Sequence, residues 1–259
     1  MKEISSLQNP IIKEIRSLKE KKYRDKTGLY LIEGYKGFVE AQKYGVRIRE
    51  VFINKDSGYK VEGIDNIYAV NESILKKIST TESPPEIVAT AFQERFSLDD
   101  ILNKKNPLII MLENIKDAGN LGAIIRTAVA CGCSGIILAG TPVDIYNPKT
   151  VRSSAGNLWK IPIVNISDYN RIKELSGSIQ IVGTVVSENK KSKIYTDIDY
   201  KKPTIIIFGS EAEGISDNVL DIANMSAVIP MEKEAESLNL SISVGVILYE
   251  AYHQRGFTV

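Results

Sequence analysis

Four short runs in the second part of the chain are apolar almost from end to end. They are Leu108–Leu112 (LIIML), Gly135–Ala139 (GIILA), Ile179–Val186 (IQIVGTVV) and Thr204–Phe208 (TIIIF). Successive side chains of a strand point to opposite faces, so a strand with one wet face alternates apolar and polar residues. Runs that do not alternate are buried on both faces, which is the habit of parallel sheets covered by helices. The intervening segments agree. Asn120–Cys131, Lys149–Ala155 and Asp168–Leu175 read as helices, and Ile161–Ile166 as a further strand. An α/β fold with a mainly parallel sheet is expected here, and such sheets bind ligands beyond the carboxyl ends of their strands.

The first part of the chain reads as a separate α/β unit. Pro10 suits the first turn of a helix running to about Tyr23, and Thr27-Gly28 breaks it. Leu29–Glu33, Ile48–Ile53, Ile67–Val70 and Ile87–Phe92 read as strands. One helix lies between Gly34 and Gly45, and another covers Asn71–Lys77. The polar stretch Ser97–Pro107 is the expected boundary, giving domains of residues 1–98 and 106–259.

Composition excludes several classes. No stretch is long and apolar enough to span a bilayer, and no secretory leader pattern opens the chain, so a cytoplasmic location is expected. Cys131 and Cys133 have no partner cysteine, and His253 is the only histidine, so no metal site is expected. The net charge is +1. Within Lys13–Lys26 (KEIRSLKEKKYRDK), however, seven basic residues stand against three acidic ones. That stretch is either a solvated helix face or a footprint for phosphates.

Three further stretches carry candidate chemistry. Asn120–Thr127 (NLGAIIRT) places a single arginine, Arg126, in an otherwise apolar helix, with Asn120 positioned to cap it. Arg126 either pairs with Glu113 or Asp117 or serves a ligand, since a buried unpaired charge is expensive. Ile207–Ile215 (IFGSEAEGI) is a strand running into a glycine-flanked acidic loop. The spacing is not a dinucleotide fingerprint, and carboxylates would repel a pyrophosphate; a cationic ligand suits Gly209 and Glu211 better. Ile229–Glu250 (IPMEKEAESLNLSISVGVILYE) runs from a strand end through a charged loop into a helix, with Ser237 as the expected N-cap.

In this order, the three stretches resemble the motifs of the SpoU (TrmH-like) class of the SPOUT RNA 2′-O-ribose methyltransferases. The resemblance covers roughly the C-terminal three-fifths of the chain. Two positions depart from the pattern: Lys233 stands where the family often has glycine, and Ser243 where it has alanine. The resemblance implies a SPOUT domain with a deep trefoil knot, preceded by a small ribosomal-protein-like RNA-binding domain. It implies S-adenosylmethionine held by Gly209, Ile229 and Leu238, with Thr184 as a weaker addition. It implies a homodimer acting on RNA, ribosomal ahead of transfer RNA. Arg126 would orient the ribose, with Glu211 as the alternative base and Asn120, Ser237 and Asn239 fixing geometry. Arg152 (NPKTVRSSAGN) would help hold RNA. A catalytically silent RNA-binding or ribosome-assembly protein on the same fold stays open as the alternative.

Overall fold

The computed structural model describes residues 1–186 and 192–257. They form two compact units, residues 1–94 with 144–160 and residues 95–143 with 161–257.

The first unit contains β1 (Lys2–Ile4), α1 (Pro10–Ser17), α2 (Lys21–Thr27), β2 (Leu29–Glu33), α3 (Tyr35–Lys43), β3 (Ile48–Asn54), β4 (Ile67–Val70), α4 (Glu72–Ile78) and β5 (Ile87–Phe92). Its sheet order is β1-β4-β3-β5-β2, with β5 antiparallel to both neighbours. Ile12, Ile15 and Leu18 pack with Ile74, Leu75 and Ile78 in its core.

The single helix expected from Pro10 to Tyr23 is two helices. The chain breaks at Leu18–Glu20, where Arg24 turns back from α2. Its Nη1 donates to the carbonyls of Leu18 at 2.7 Å and Lys19 at 2.8 Å, supplying partners for groups a helix end leaves open. Its Nε and Nη2 both donate to Asp144 Oδ2, at 2.8 and 2.6 Å. Arg24 is 2% exposed, so it is a scaffold residue and not one of the phosphate contacts expected from the basic stretch.

The second unit opens with α5 (Leu98–Leu102), β6 (Leu108–Glu113), α6 (Ala118–Ala130) and β7 (Gly135–Ala139). The chain then contributes α7 (Pro148–Ser153) to the first unit. It continues with β8 (Ile163–Ile166), α8 (Asn170–Glu174), β9 (Gln180–Val185), β10 (Ser192–Ile194), β11 (Thr204–Phe208), α9 (Asp217–Leu220), β12 (Met225–Val228) and α10 (Leu240–Gln254). Every pairing in its seven-stranded sheet, order β10-β12-β9-β11-β6-β7-β8, is parallel. The non-alternating runs are why. All five residues of β7 and of β11 are buried.

Three local expectations change. The polar boundary stretch contains α5, started by a capping box in which Ser97 and Asp100 satisfy each other's backbone N–H groups. Asp117, not Asn120, caps α6, its side chain accepting from the Asn120 N–H at 2.8 Å. Asn239, not Ser237, caps α10. Of the two cysteines, Cys131 is buried, which pushes its thiol up to about 11, while Cys133 is half-buried.

Candidate active site

The adjacent strands β12, β9 and β11 end at a common edge, and the loops that follow them enclose a cavity of about 570 Å³. This is the place open parallel sheets reserve for ligands. Thr184 lines it from the end of β9, Gly209 and Glu211 from the loop after β11, and Ile229 from the end of β12. Ser237, Leu238 and Asn239 close it at the start of α10.

The loop after β11 folds tightly on itself. Ser210 and Gly214 exchange both backbone hydrogen bonds at 3.0 Å, and Ser210 Oγ accepts from the Glu213 N–H at 3.1 Å. A Cβ on Gly209 would lie 1.9 Å from the Gly214 carbonyl carbon, so no other residue fits without moving the loop. Gly209 is therefore required by the loop's own closure as well as by any ligand, and a valine there would disturb the fold. The loop's far end is held by Glu113, the last residue of β6 and only 3% exposed. Glu113 accepts from Ser216 N–H at 2.8 Å and from its hydroxyl at 2.6 Å. Sequence reasoning missed this anchor, considering Glu113 only as a partner for Arg126. The available signal was a carboxylate ending an otherwise apolar strand.

A chain of side-chain hydrogen bonds crosses the cavity's edge. Asn239 Oδ1 is committed to capping α10, accepting from Ser241 N–H at 2.9 Å and from the Ser241 hydroxyl at 2.7 Å. Its Nδ2 must then donate, and it meets Asn120 Oδ1 at 3.3 Å. That fixes the Asn120 amide in turn, so its Nδ2 donates to Glu211 Oε1 at 2.8 Å. Orientation is thus passed from a helix cap to a carboxylate, and no donor among the described residues takes Glu211 Oε2. The three residues come from three stretches separated by about 90 and 30 positions.

Residues 107–249 match the model of the SpoU rRNA Methylase family. The chain belongs to that family. Residues 9–89 match the MRM3-like substrate binding domain. An uncharacterised tRNA/rRNA methyltransferase of Synechocystis is 33% identical, over 97% of this chain and 94% of its own. The 23S rRNA (guanosine(2553)-2′-O)-methyltransferase RlmP of Bacillus subtilis is 28% identical, over 99% of this chain and 100% of its own. The AdoMet-bound rRNA methyltransferase of Sinorhizobium meliloti superposes with a TM-score of 0.87 at 33% identity, covering 100% of this chain and 99% of that one.

The cofactor of SpoU enzymes, S-adenosylmethionine, suits the cavity. Its volume falls in the roughly 300–1,000 Å³ span of small-molecule sites. Phe208, Leu238 and Ile247 offer apolar wall for an adenine, and Glu211 and Glu213 offer carboxylates to a sulfonium cation. Among the described residues no group of three or more His, Cys, Asp or Glu side chains could hold a metal ion. Among the same residues no helix is long and apolar enough to cross a membrane.

Arg126 stands apart from the other SpoU motif residues. It lies on the exposed side of α6, about 9 Å of helix rise and a third of a turn from Asn120, and does not line the cavity. Neither Glu113 nor Asp117 takes its guanidinium; among the described residues it has no ion pair or hydrogen-bond partner. The burial expected from its apolar neighbours is absent, because Leu121, Ile124, Ile125 and Ala128 form the inward face. Arg152 is engaged within the first unit, its Nη1 on Glu33 and on the Thr80 hydroxyl.

Proposed function

We propose that residues 106–259 carry an S-adenosylmethionine-dependent methyltransferase acting on a ribose 2′-hydroxyl of ribosomal RNA, and that residues 1–98 engage that RNA. The observation that carries this reading is the hydrogen-bond chain Asn239–Asn120–Glu211 at the edge of a cofactor-sized cavity. The names of full-length relatives support the RNA class. The protein acts in the cytoplasm as a twofold homodimer, for which the exposed Ile242 and Tyr249 of α10 supply an apolar face. Sedimentation at micromolar concentration tests the dimer, and a monomer there refutes it.

S-adenosylmethionine, when bound, supplies a methyl group on cationic sulfur. The ribose oxygen gains that carbon and must lose its proton, so the protein's tasks are alignment and proton management. Arg126, which has no partner among the described residues, orients the ribose and stabilises charge developing on the attacking oxygen through its planar fork. A guanidinium does not give up its own proton, so the acceptor is an RNA phosphate beside Arg126, with Glu211 Oε2 second. Ser237, Asn120 and Asn239 hold the geometry. Backbone groups at Gly209, Ile229 and Leu238, with Thr184, hold the cofactor.

Mapping 2′-O-methyl groups in ribosomal RNA from cells lacking the protein tests this. Loss of methylation at one nucleotide is expected; an unchanged map refutes it.

A further inference from the structure

A second cavity, of about 220 Å³, lies wholly within the first unit, between α3 and the segment that follows α7. It is smaller than the roughly 300–1,000 Å³ of drug-sized sites and several times the roughly 30 Å³ share of one water. A single flat ring system falls in that interval.

The walls specify the kind of ring. Ile32, Val151 and Trp159 are the apolar part. The Trp159 Nε1–H donates to Tyr30 Oη at 2.7 Å, which ties up the indole's one polar atom and leaves its faces for stacking. The Glu33 carboxylate is consumed by Thr80 and Arg152. Glu40 is not, since its one ion pair among the described residues is Lys160 at 3.5 Å. Lys36 has no ion-pair partner among them, and the bonds Arg152 makes among them use Nη1 alone, leaving Nε and Nη2. With Glu33 paired to Arg152, Glu40 is the carboxylate left to accept a hydrogen bond in the cavity. A stacking face with a carboxylate acceptor suits a base bearing an exocyclic amine, whose phosphates would stay outside on Lys36 and Arg152. Beside Lys36, Tyr35 stacks on Tyr59 with ring centroids 4.2 Å apart and planes 12° apart, and the two are 40% and 41% exposed. Exposed, preformed aromatic surfaces of this kind are stacking platforms for single strands.

We propose that this cavity is a subsite for one unstacked, amino-bearing base of single-stranded RNA, with the adjoining nucleotide on the Tyr35–Tyr59 pair. The inference rests on reading the chain as an RNA enzyme. It adds a base-reading site that lies outside the methyl-transfer cavity.

Trp159 is the only tryptophan, so its emission reports occupancy directly. The full-length protein is titrated with hexacytidylate, hexauridylate and cytidine monophosphate, with labelled-RNA anisotropy alongside. Saturable quenching by hexacytidylate is expected, with weaker binding of hexauridylate and at least about ten-fold weaker binding of the free nucleotide, which lacks the flanking contacts. A Cβ at Gly37 would sit 3.5 Å from Ile32 Cγ2 on the cavity wall, so Gly37→Leu fills the cavity while favouring helix α3. Gly37→Leu is expected to weaken hexacytidylate by about 5- to 150-fold, the range spanned by one base–aromatic stack, with cofactor affinity unchanged. Lys36→Ala, at an exposed position, is expected to weaken it less. RNA binding that leaves Trp159 emission unchanged, or that Gly37→Leu does not weaken, overturns the subsite and leaves the methyl-transfer reading standing. Tighter binding of the free nucleotide also overturns it. Normal quenching without methyl transfer to any RNA would contradict the enzyme reading instead.

Discussion

Arg24 in the first unit and Arg126 in the second are the same residue in opposite circumstances. Arg24 is buried, and its guanidinium is divided between Asp144 and the carbonyls of Leu18 and Lys19. Arg126 is exposed and has no partner among the described residues. A satisfied guanidinium has nothing left to offer a substrate, and removing it leaves its partners unpaired. A free one adds little to the fold and keeps its donors for whatever binds. Neighbouring residues mislead in both cases: a run of lysines surrounds the structural arginine, and apolar residues surround the available one.

The contrast can be broken from either side. The largest effect is expected at Arg24. Arg24→Ala leaves Asp144 without its partner in a nearly buried site, which should cost about 3–5 kcal/mol in denaturant unfolding. Methyl transfer per folded molecule should be unchanged, and a stable but inactive variant would reverse the assignment. Next comes Arg126→Ala, expected to slow single-turnover transfer by about 10²–10³, the effect of losing a donor to developing charge. Its unfolding free energy should move by no more than about 0.5 kcal/mol, as for other surface changes. Arg126→Lys should fail too, because an ammonium lacks the planar fork. A destabilised yet fully active Arg126→Ala would make Arg126 scaffold and pass its role to Glu211.

A smaller effect is expected at Asn239, where cap and relay share one side chain. Asn239→Ala should lose about 1 kcal/mol of stability for the cap, read by thermal unfolding. Transfer should slow as well, because the Asn120 amide loses the bond that orients it; a variant that loses stability but keeps full turnover would separate the two roles. The smallest effect concerns the basic stretch without Arg24. Of the six basic residues left there, Lys19, Lys21 and Lys22 form the densest group, and changing all three to Ala should reduce the log–log salt slope of RNA binding by about 2, at roughly 0.7 per single-strand contact. Lys21 and Lys22 already meet Asp25 and Glu20, but as exposed pairs that phosphates can displace. An unmoved slope would return the stretch to a solvated helix face.

What the sequence made legible follows from which forces are local. The parallel sheet was readable because burial on both faces writes itself into β7 and β11 as unbroken apolar runs. The ends of β2, β4 and β5 were readable from flanking glycine, proline and polar residues. The break at Leu18 was not, because it depends on a side chain from α2 anchored to Asp144, 120 positions away. Ser237 and Asn239 are both good caps; a bond that Asn239 donates to Asn120, across 119 positions, accompanies the choice of Asn239. The capping box at Ser97 and Asp100 was present in the sequence and overlooked among polar neighbours. In the candidate site, the motif residues could be named from their stretches. Their linkage through Asn120, and the Glu113 anchor, needed the fold.

The most direct test of the central claim uses purified protein, S-adenosylmethionine labelled in its methyl group, and unmodified ribosomal RNA. After transfer, the RNA is hydrolysed in alkali. A 2′-O-methyl group removes the hydroxyl that alkaline cleavage requires, so the label should appear in an alkali-stable dinucleotide. Arg126→Ala should leave that dinucleotide nearly empty. Label released in single nucleotides, as base methylation would give, or no incorporation with folded, cofactor-binding protein, would contradict the account.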